Sequence, residues 1–238
     1  MDDVFIKYMD DRFSAKEISK TDKVITPSKI YGPIITITRQ AGCSGNEIAN
    51  ELCRMLNKKN QEKNINESWQ WINKQILFST AEELKMPELK IKYIFRAEKR
   101  GMMDDVVNAL FSKYYKCHNT IQKTVVTIIK RYAAKGNIII VGRGGVVFTN
   151  DVPNSLHVKL EAPLKWRIEQ ISKKHEISED EAEKYVLKVD SKREKLIELL
   201  SKKKYSYDLF DIIINSSKFN TESLCKVILK TAEAKMLV

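Results

Sequence analysis

The sequence predicts an α/β fold, a three-layer parallel sheet flanked by helices. β-branched runs alternate with amphipathic segments over about 200 residues, a pattern typical of βα repeats. One run, residues 138–141, is apolar at every position, as expected for a strand that is buried on both faces. Residues 34–56 pass from a β-branched run through a Gly-containing turn into an amphipathic helix. In such a sheet, ligands bind beyond the carboxyl ends of the strands.

The N-terminal half begins with a polar arm over residues 1–30, in which charges of both signs are mixed. The first strand is expected at 34–38 and the first helix at 45–57, where apolar residues recur at helical spacing. A polar loop then leads to a short second strand at 68–72. Residues 73–135 have a helical pattern. Its breaks lie at Pro87, Gly101 and residues 117–120.

The C-terminal half alternates more regularly. Strands are expected at 138–141 and 156–160, and a helix follows at 163–174. The spacing Ser178-x-x-Glu181 predicts a capping box that opens a long charged helix, which ends near residue 203. The last two elements are expected to be a strand at 211–214 and a helix at 221–235.

The composition is that of an ordinary globular protein, with 43% hydrophobic and 31% charged residues in a chain of 238. No apolar run reaches the roughly 18 residues that a membrane span requires, and the N-terminus is acidic rather than basic and apolar. We therefore expect a cytoplasmic protein without a membrane partner. The four cysteines and three histidines lack the spacing of a zinc site or a disulfide framework, so reduced thiols are expected.

The net charge of +11 is compatible with nucleic acid, a membrane surface or a phosphorylated small molecule as a partner. Lysines and arginines are spread along helices between Glu and Asp residues, and only residues 202–204 form a run. No basic strip with interleaved aromatic residues is present, so we do not expect nucleic acid to be the partner. Composition leaves the oligomeric state open.

The turn after the first strand has the layout of a phosphate-binding loop, without its usual chemistry. Aligned with the loop of nucleotide kinases, Arg39 stands at the first glycine, Gly45 at the lysine and Glu47 at the hydroxyl residue. A second interpretation needs no ligand, because Ser44-x-x-Glu47 before an apolar-periodic run is also a capping box. The residues that would bind phosphate are Arg39, Gln40, Gly42, Cys43, Ser44, Gly45, Asn46 and Glu47.

Two residues of the turns at this edge are candidates for chemistry. Arg143 follows the strand 138–141 within a Gly-rich turn, and its guanidinium can bind phosphate through two hydrogen bonds. An ion pair with a neighbouring carboxylate is the alternative for Arg143. Cys43 lies near a predicted helix N-terminus, where the pKa of a thiol is lowered, although an unreactive side chain is the alternative.

Several motifs in order resemble those of the cytidylate kinase-like family. They are ITITRQAG at 35–42, IIIVGRGG at 138–145, LHVKLEAPLKWR at 156–167, Asp190-x-x-Arg193, and YDLFDIIINSS at 207–217. The resemblance covers about residues 34–230. One branch of that family has a loop without the Walker lysine, similar to I-T-I-S-R-Q-x-G-S-G-G-R-E-I-A.

The resemblance implies a P-loop nucleoside monophosphate kinase fold over residues 31–238, with a helical lid at about 165–205 and with ATP and Mg²⁺ as cofactors. Arg143 would hold the acceptor monophosphate, and Gly144 and Asn73 are placed with it as acceptor-binding residues. Three residues besides Arg39 would act in catalysis: Arg167, Arg193 and Asp190, which orients Arg193. Single arginines of this kind are otherwise expected to form weak surface ion pairs.

Departures from the family pattern bear on the activity. Gly144 replaces an acid that contacts the acceptor nucleoside, and Asn46 replaces a basic residue of the lysine-free branch. Arg39 is then the residue left to charge the loop, and Glu47 would either repel phosphate or bind Mg²⁺. The expected function is phosphorylation of a nucleoside monophosphate such as CMP, or of another small acceptor. The alternative is an inactive kinase fold that senses nucleotides.

Overall fold

The computed structural model describes residues 32–73, 79, 82, 83, 85, 126–202 and 204–238. The chain divides into two units, residues 1–30 with 74–129 and residues 31–73 with 130–238. Of the first unit, residues 126–129 are helical. The predicted arm at 1–30 and most of the helical pattern at 73–135 lie outside the described residues. The elements below belong to the second unit.

Five parallel strands form one sheet in the described part of the chain. They are β1 (Ile34–Arg39), β2 (Gln70–Ile72), β3 (Ile138–Val141), β4 (Ser155–Glu161) and β5 (Ile212–Asn215). The order across the sheet is β2-β3-β1-β4-β5, and every pair is parallel. The first strand is thus central, with β3 and β2 on one side of it and β4 and β5 on the other. The predicted α/β fold is confirmed.

Five α-helices of the second unit are used below: α1 (Gly45–Glu62), α2 (Gly145–Phe148), α3 (Leu164–His175), α4 (Glu179–Ser201) and α5 (Thr221–Ala234). Residues 130–135 are helical as well. The predicted strands and helices coincide with these elements to within about two residues at their ends, except that α1 extends to Glu62 instead of ending at residue 57. The short helix α2 was not predicted from the sequence. The capping box that opens α4 is confirmed: the Ser178 hydroxyl accepts from the Glu181 N–H, and the Glu181 carboxylate accepts from the Ser178 N–H. No helix among the described residues has both the length and the apolar character to cross a bilayer.

Alternation along the strands decides which helix covers which face. Ile35 and Ile37 of β1 point into a core that also contains Leu52 of α1 and Ile228 of α5. The opposite face carries α2, where a Cβ added to Gly145 would lie 2.7 Å from the Ile140 Cγ2 atom. Both faces are therefore covered, which explains why the strands are apolar at almost every position.

One polar cluster is buried under the α2 face of the sheet. The Thr36 hydroxyl lies 2.8 Å from His157 Nδ1, and the Ser155 hydroxyl lies 3.1 Å from its Nε2. The backbone N–H of His157 donates to the Asp211 carboxylate at 2.7 Å. Burial lowers the pKa of His157. The cluster thus joins β1, β4 and the start of β5 around a neutral imidazole.

Candidate active site

The loop between β1 and α1 leaves several backbone donors unpaired. The Gln40 N–H donates to the Leu160 carbonyl at 3.0 Å, and the Cys43 N–H donates to the Gln40 carbonyl at 3.3 Å. Unpaired N–H groups at a helix N-terminus attract an anion such as phosphate. Within the residues that the structure describes, the backbone N–H groups without an acceptor here are those of Gly42, Ser44, Gly45, Asn46 and Glu47.

The capping-box interpretation of this loop is wrong. Ser44 has φ −21° and ψ 48° instead of the extended backbone of a capping residue, and its side chain caps nothing. The Glu47 carboxylate is turned to α3, where its Oε1 lies 3.1 Å from Lys174 Nζ. The first turn of α1 therefore remains open to a ligand.

Arg39 runs across this loop towards the next turn of the site. A Cβ added to Gly45 would lie 3.1 Å from the Arg39 Cγ atom, and one added to Gly142 would lie 2.0 Å from its Nη1 atom. Gly142 also has φ 70°, which favours glycine. The two glycines thus provide the space in which the Arg39 side chain reaches the turn after β3.

Three guanidinium groups from separate elements influence one another at this point. Burial, together with the charges of Arg193 and Arg143, lowers the pKa of Arg39 to about 9. Burial and Arg193 lower the pKa of Arg143, and burial lowers that of Arg193. The guanidinium groups of Arg39 and Arg143 have no hydrogen bond or ion pair with any described residue. A site of this kind favours an anion, which would offset both the burial and the repulsion.

Asp190 ties the two helices of the predicted lid to the loop. Its Oδ1 accepts from the Ala41 N–H at 2.7 Å, and its Oδ2 accepts from Arg167 Nη1 at 2.5 Å. Arg193 Nη1 lies farther away, 3.8 Å from Oδ1, and donates to the Arg39 carbonyl at 2.9 Å. The sequence paired Asp190 with Arg193, but the shorter ion pair of Asp190 is with Arg167.

Arg167 itself is almost fully buried, with 6% of its surface exposed. Its Nε donates to the Ala162 carbonyl at 2.9 Å. Two nitrogens of the guanidinium group are therefore hydrogen-bonded, Nε to Ala162 and Nη1 to Asp190. A Cβ added to Gly42 would lie 3.0 Å from the Arg167 backbone. The start of α3 therefore packs directly on the loop.

Cys43 is a buried side chain, with 2% of its surface exposed. Burial raises the pKa of its thiol to about 11, despite the nearby charge of Arg167. The expectation of a lowered thiol pKa is wrong, because the side chain points into the core and not towards the open N–H groups of α1.

The remaining acceptor candidates lie at the same edge of the sheet. Gly144 has φ 71°, and a Cβ there would lie 2.3 Å from the Leu200 Cδ1 atom. A side chain at this position would therefore have a strained backbone and would have to displace the Leu200 side chain of α4. Asn73 follows β2 directly, and β2 is parallel to β3, so Asn73 leaves the sheet on the side where Arg143 does.

Sequence reasoning missed a cleft of about 390 Å³ beside the loop. Its lining residues are Gln40, Glu161, Ala162, Pro163, Ile213 and Asn215. Lys159 forms an ion pair with Glu161 at 2.5 Å and lies over the ring of Tyr207, 4.2 Å from its centroid. The available signal was the position of Glu161 and Asn215 at the carboxyl ends of two predicted strands.

Several known proteins are similar to this chain in sequence. A model of the cytidylate kinase-like family matches residues 34–218. Cytidylate kinase of Methanocaldococcus jannaschii is 27% identical over 155 residues, which cover 62% of this chain and 84% of that protein. Cytidylate kinase of Sulfolobus acidocaldarius is 30% identical over 168 residues, which cover 67% and 90%.

Among solved structures, an uncharacterized protein from Eubacterium ventriosum superposes with a TM-score of 0.60 at 16% identity. The alignment covers 84% of this chain and 98% of that one. At this level of identity the likeness concerns the fold alone.

Proposed function

Because this chain belongs to the cytidylate kinase-like family, we propose that it is a phosphotransferase that moves the terminal phosphoryl group of ATP to a nucleoside monophosphate, with CMP as the acceptor. One observation carries the proposal. The half-buried guanidinium groups of Arg39 and Arg143 lack a counter-ion among the described residues and lie next to a loop with open N–H groups. Two phosphate-bearing substrates would supply the missing negative charge.

The donor would bind along the loop from Gly42 to Glu47. Its phosphates would accept from the open N–H groups, and the cleft lined by Gln40, Glu161 and Asn215 has the amide and carboxylate groups to receive a nucleobase or sugar.

Mg²⁺ would be held with the donor. No group of three or more His, Cys, Asp or Glu side chains suited to a metal occurs in the described part of the chain. This fits Mg²⁺, which commonly uses one or two carboxylates together with substrate phosphates and water. Glu47 would contribute a carboxylate once it leaves Lys174, with which it pairs in this structure. When bound, Mg²⁺ neutralises charge on the donor phosphates.

The acceptor would bind after β3, with its phosphate on Arg143 and Arg39. Arg193 and Arg167, held by Asp190, would stabilise the charge that spreads over the transferred group. An acceptor phosphate oxygen attacks the terminal phosphorus, and the bond from that phosphorus to the bridging oxygen breaks. Its electron pair stays on the departing diphosphate. The attacking dianion carries no proton, so this reaction needs no general base.

A coupled assay of diphosphate formation tests the proposal, with ATP and Mg²⁺ and with CMP, dCMP, UMP or AMP as the acceptor. We expect turnover with CMP, and a KM for CMP that rises at least about tenfold in Arg143→Gln, because a bidentate charged contact is lost. Arg54→Gln is the matched control, since Arg54 is exposed on α1 and pairs with Glu51. The proposal would be refuted if calorimetry detected no binding of either ATP or CMP at millimolar concentration. Binding of both without product would support the nucleotide-sensing alternative.

A further inference from the structure

The residue at the position of the Walker lysine carries no charge in this chain. Gly45 stands there, and its Cα is covered by the Arg39 side chain. Between Thr38 and Arg54 the sequence contains no lysine. A phosphate-binding loop ordinarily uses that ammonium group to contact the two outer phosphates of the donor. A kinase of this family therefore needs a cation from elsewhere at this end of the loop.

Arg39 passes beside Gly45, where an added Cβ would lie 3.4 Å from its Nε atom, and continues to the turn after β3. Its Nη1 lies at Gly142, in the turn after β3, where Arg143 and Arg193 affect its pKa. The terminal nitrogen of Arg39 thus lies on the side proposed for the acceptor, while its Nε passes the first turn of α1. A second cation at that turn would leave the Arg39 guanidinium to the acceptor side.

Lys174 lies at the first turn of α1. Its Nζ is 3.1 Å from Glu47 Oε1, and Glu47 stands at the hydroxyl position of the loop, two residues after Gly45. Both side chains are more than half exposed, at 59% and 58%. An exposed pair of this kind contributes little to stability, so a triphosphate can compete for the lysine.

The position of Lys174 follows from how α3 is held. Arg167 and Lys174 are seven residues apart in α3, close to two helical turns, so they lie on the same face. Arg167 fixes that face against the loop through Ala162, Asp190 and the contact with Gly42. The packing of α3 against the loop therefore places Lys174 beside α1.

We propose that Lys174 takes the place of the Walker lysine, delivering its ammonium group from α3 to the β and γ phosphates of the donor. The inference rests on the phosphotransferase function proposed above. On binding, the Lys174 Nζ exchanges the Glu47 carboxylate for phosphate oxygens, and Glu47 becomes free to face Mg²⁺. The ammonium stays protonated and forms hydrogen bonds only, so no proton is transferred from it.

Lys174→Met and Lys174→Arg test this role, with Lys173→Met as the matched control. Lys173 is the exposed neighbour on the same helix and has no place in the proposed site. Calorimetry would measure binding of a non-hydrolysable ATP analogue and of AMP to each variant, and thermal unfolding would verify that each variant folds. We expect Lys174→Met to weaken the ATP analogue by about ten- to a hundredfold and AMP by less than about twofold, as a contact to the outer phosphates requires. Lys174→Arg is expected to retain most of the affinity.

Equal affinities of Lys174→Met and Lys173→Met for the ATP analogue would overturn the inference alone, provided that the unmodified protein binds it. The same conclusion would follow if Lys174→Arg lost as much affinity as Lys174→Met. Absence of ATP-analogue binding to the unmodified protein would overturn the proposed function as well. The two failures are therefore distinguishable.

Discussion

Removing the Asp190 carboxylate is the sharpest test of how α3 and α4 are fixed to the loop. Asp190 and Arg167 are 15% and 8% exposed, so their ion pair is shielded from water. Asp190→Ala would leave the Arg167 guanidinium buried without its partner, a change that costs about 3–5 kcal/mol in comparable sites. The Ala41 N–H would lose its acceptor in the same step.

Two further variants separate the contributions. Asp190→Asn keeps an oxygen for the Ala41 N–H but removes the charge, so we expect a smaller loss than in Asp190→Ala, about 2 kcal/mol. The double variant Arg167→Met with Asp190→Leu removes both charges. Because no unpaired charge is left behind, it is expected to be more stable than Asp190→Ala.

Urea unfolding followed by circular dichroism at pH 7 would measure the free energy of unfolding of each variant. Asp180→Ala is the control, since Asp180 is exposed in the first turn of the same helix and should cost less than about 1 kcal/mol. If Asp190→Ala also costs less than about 1 kcal/mol, the ion pair does not hold α4 to the loop and the reasoning fails.

Three further predictions concern other parts of the site and core. Gly142→Ala should displace the Arg39 side chain and strain the backbone at φ 70°. We expect it to lower the free energy of unfolding by about 1–3 kcal/mol and to abolish turnover in the coupled assay. Unchanged activity would contradict the position assigned to the Arg39 side chain. The folded protein holds His157 neutral, whereas the unfolded chain takes up a proton near pH 6.5, so its contribution to stability is present above pH 6.5 and is lost as the pH falls further. Urea midpoints at pH 7.5 and 5.5 should therefore differ more in the unmodified protein than in His157→Gln. Raising the Cys43 pKa from 9.0 to about 11 lowers its thiolate fraction about a hundredfold, so mass spectrometry should find Cys43 alkylated by iodoacetamide far more slowly than in the urea-unfolded chain.

Local sequence patterns predicted most of the described fold because they act over a few residues. The apolar run at 138–141 became β3, and the spacing of Ser178 and Glu181 became a capping box. The order of motifs along the chain also identified the family, which the match over residues 34–218 confirms.

The same kind of local reasoning failed at Ser44 and Glu47, where the spacing was right but the backbone was not. The Ser44 backbone does not adopt the extended conformation that capping requires, and Glu47 pairs with a lysine 127 residues away in sequence. Sequence spacing gives no information about a partner that only the packing of α3 brings near. The cleft beside Glu161 was missed for the same reason, since its walls come from three strand ends.

By itself, the sequence determined the alternation of strands and helices, the parallel sheet and the arginines that follow the strands, because periodicity and turn residues encode these locally. Tertiary structure decided which groups those arginines meet. The packing of α4 placed Asp190 between Ala41 and Arg167, brought Leu200 close to Gly144, and left Arg39 and Arg143 without a counter-ion among the described residues. Ion pairs and anion sites depend on distances of a few ångströms between elements far apart in the chain, and those distances exist only once the helices have docked on the sheet.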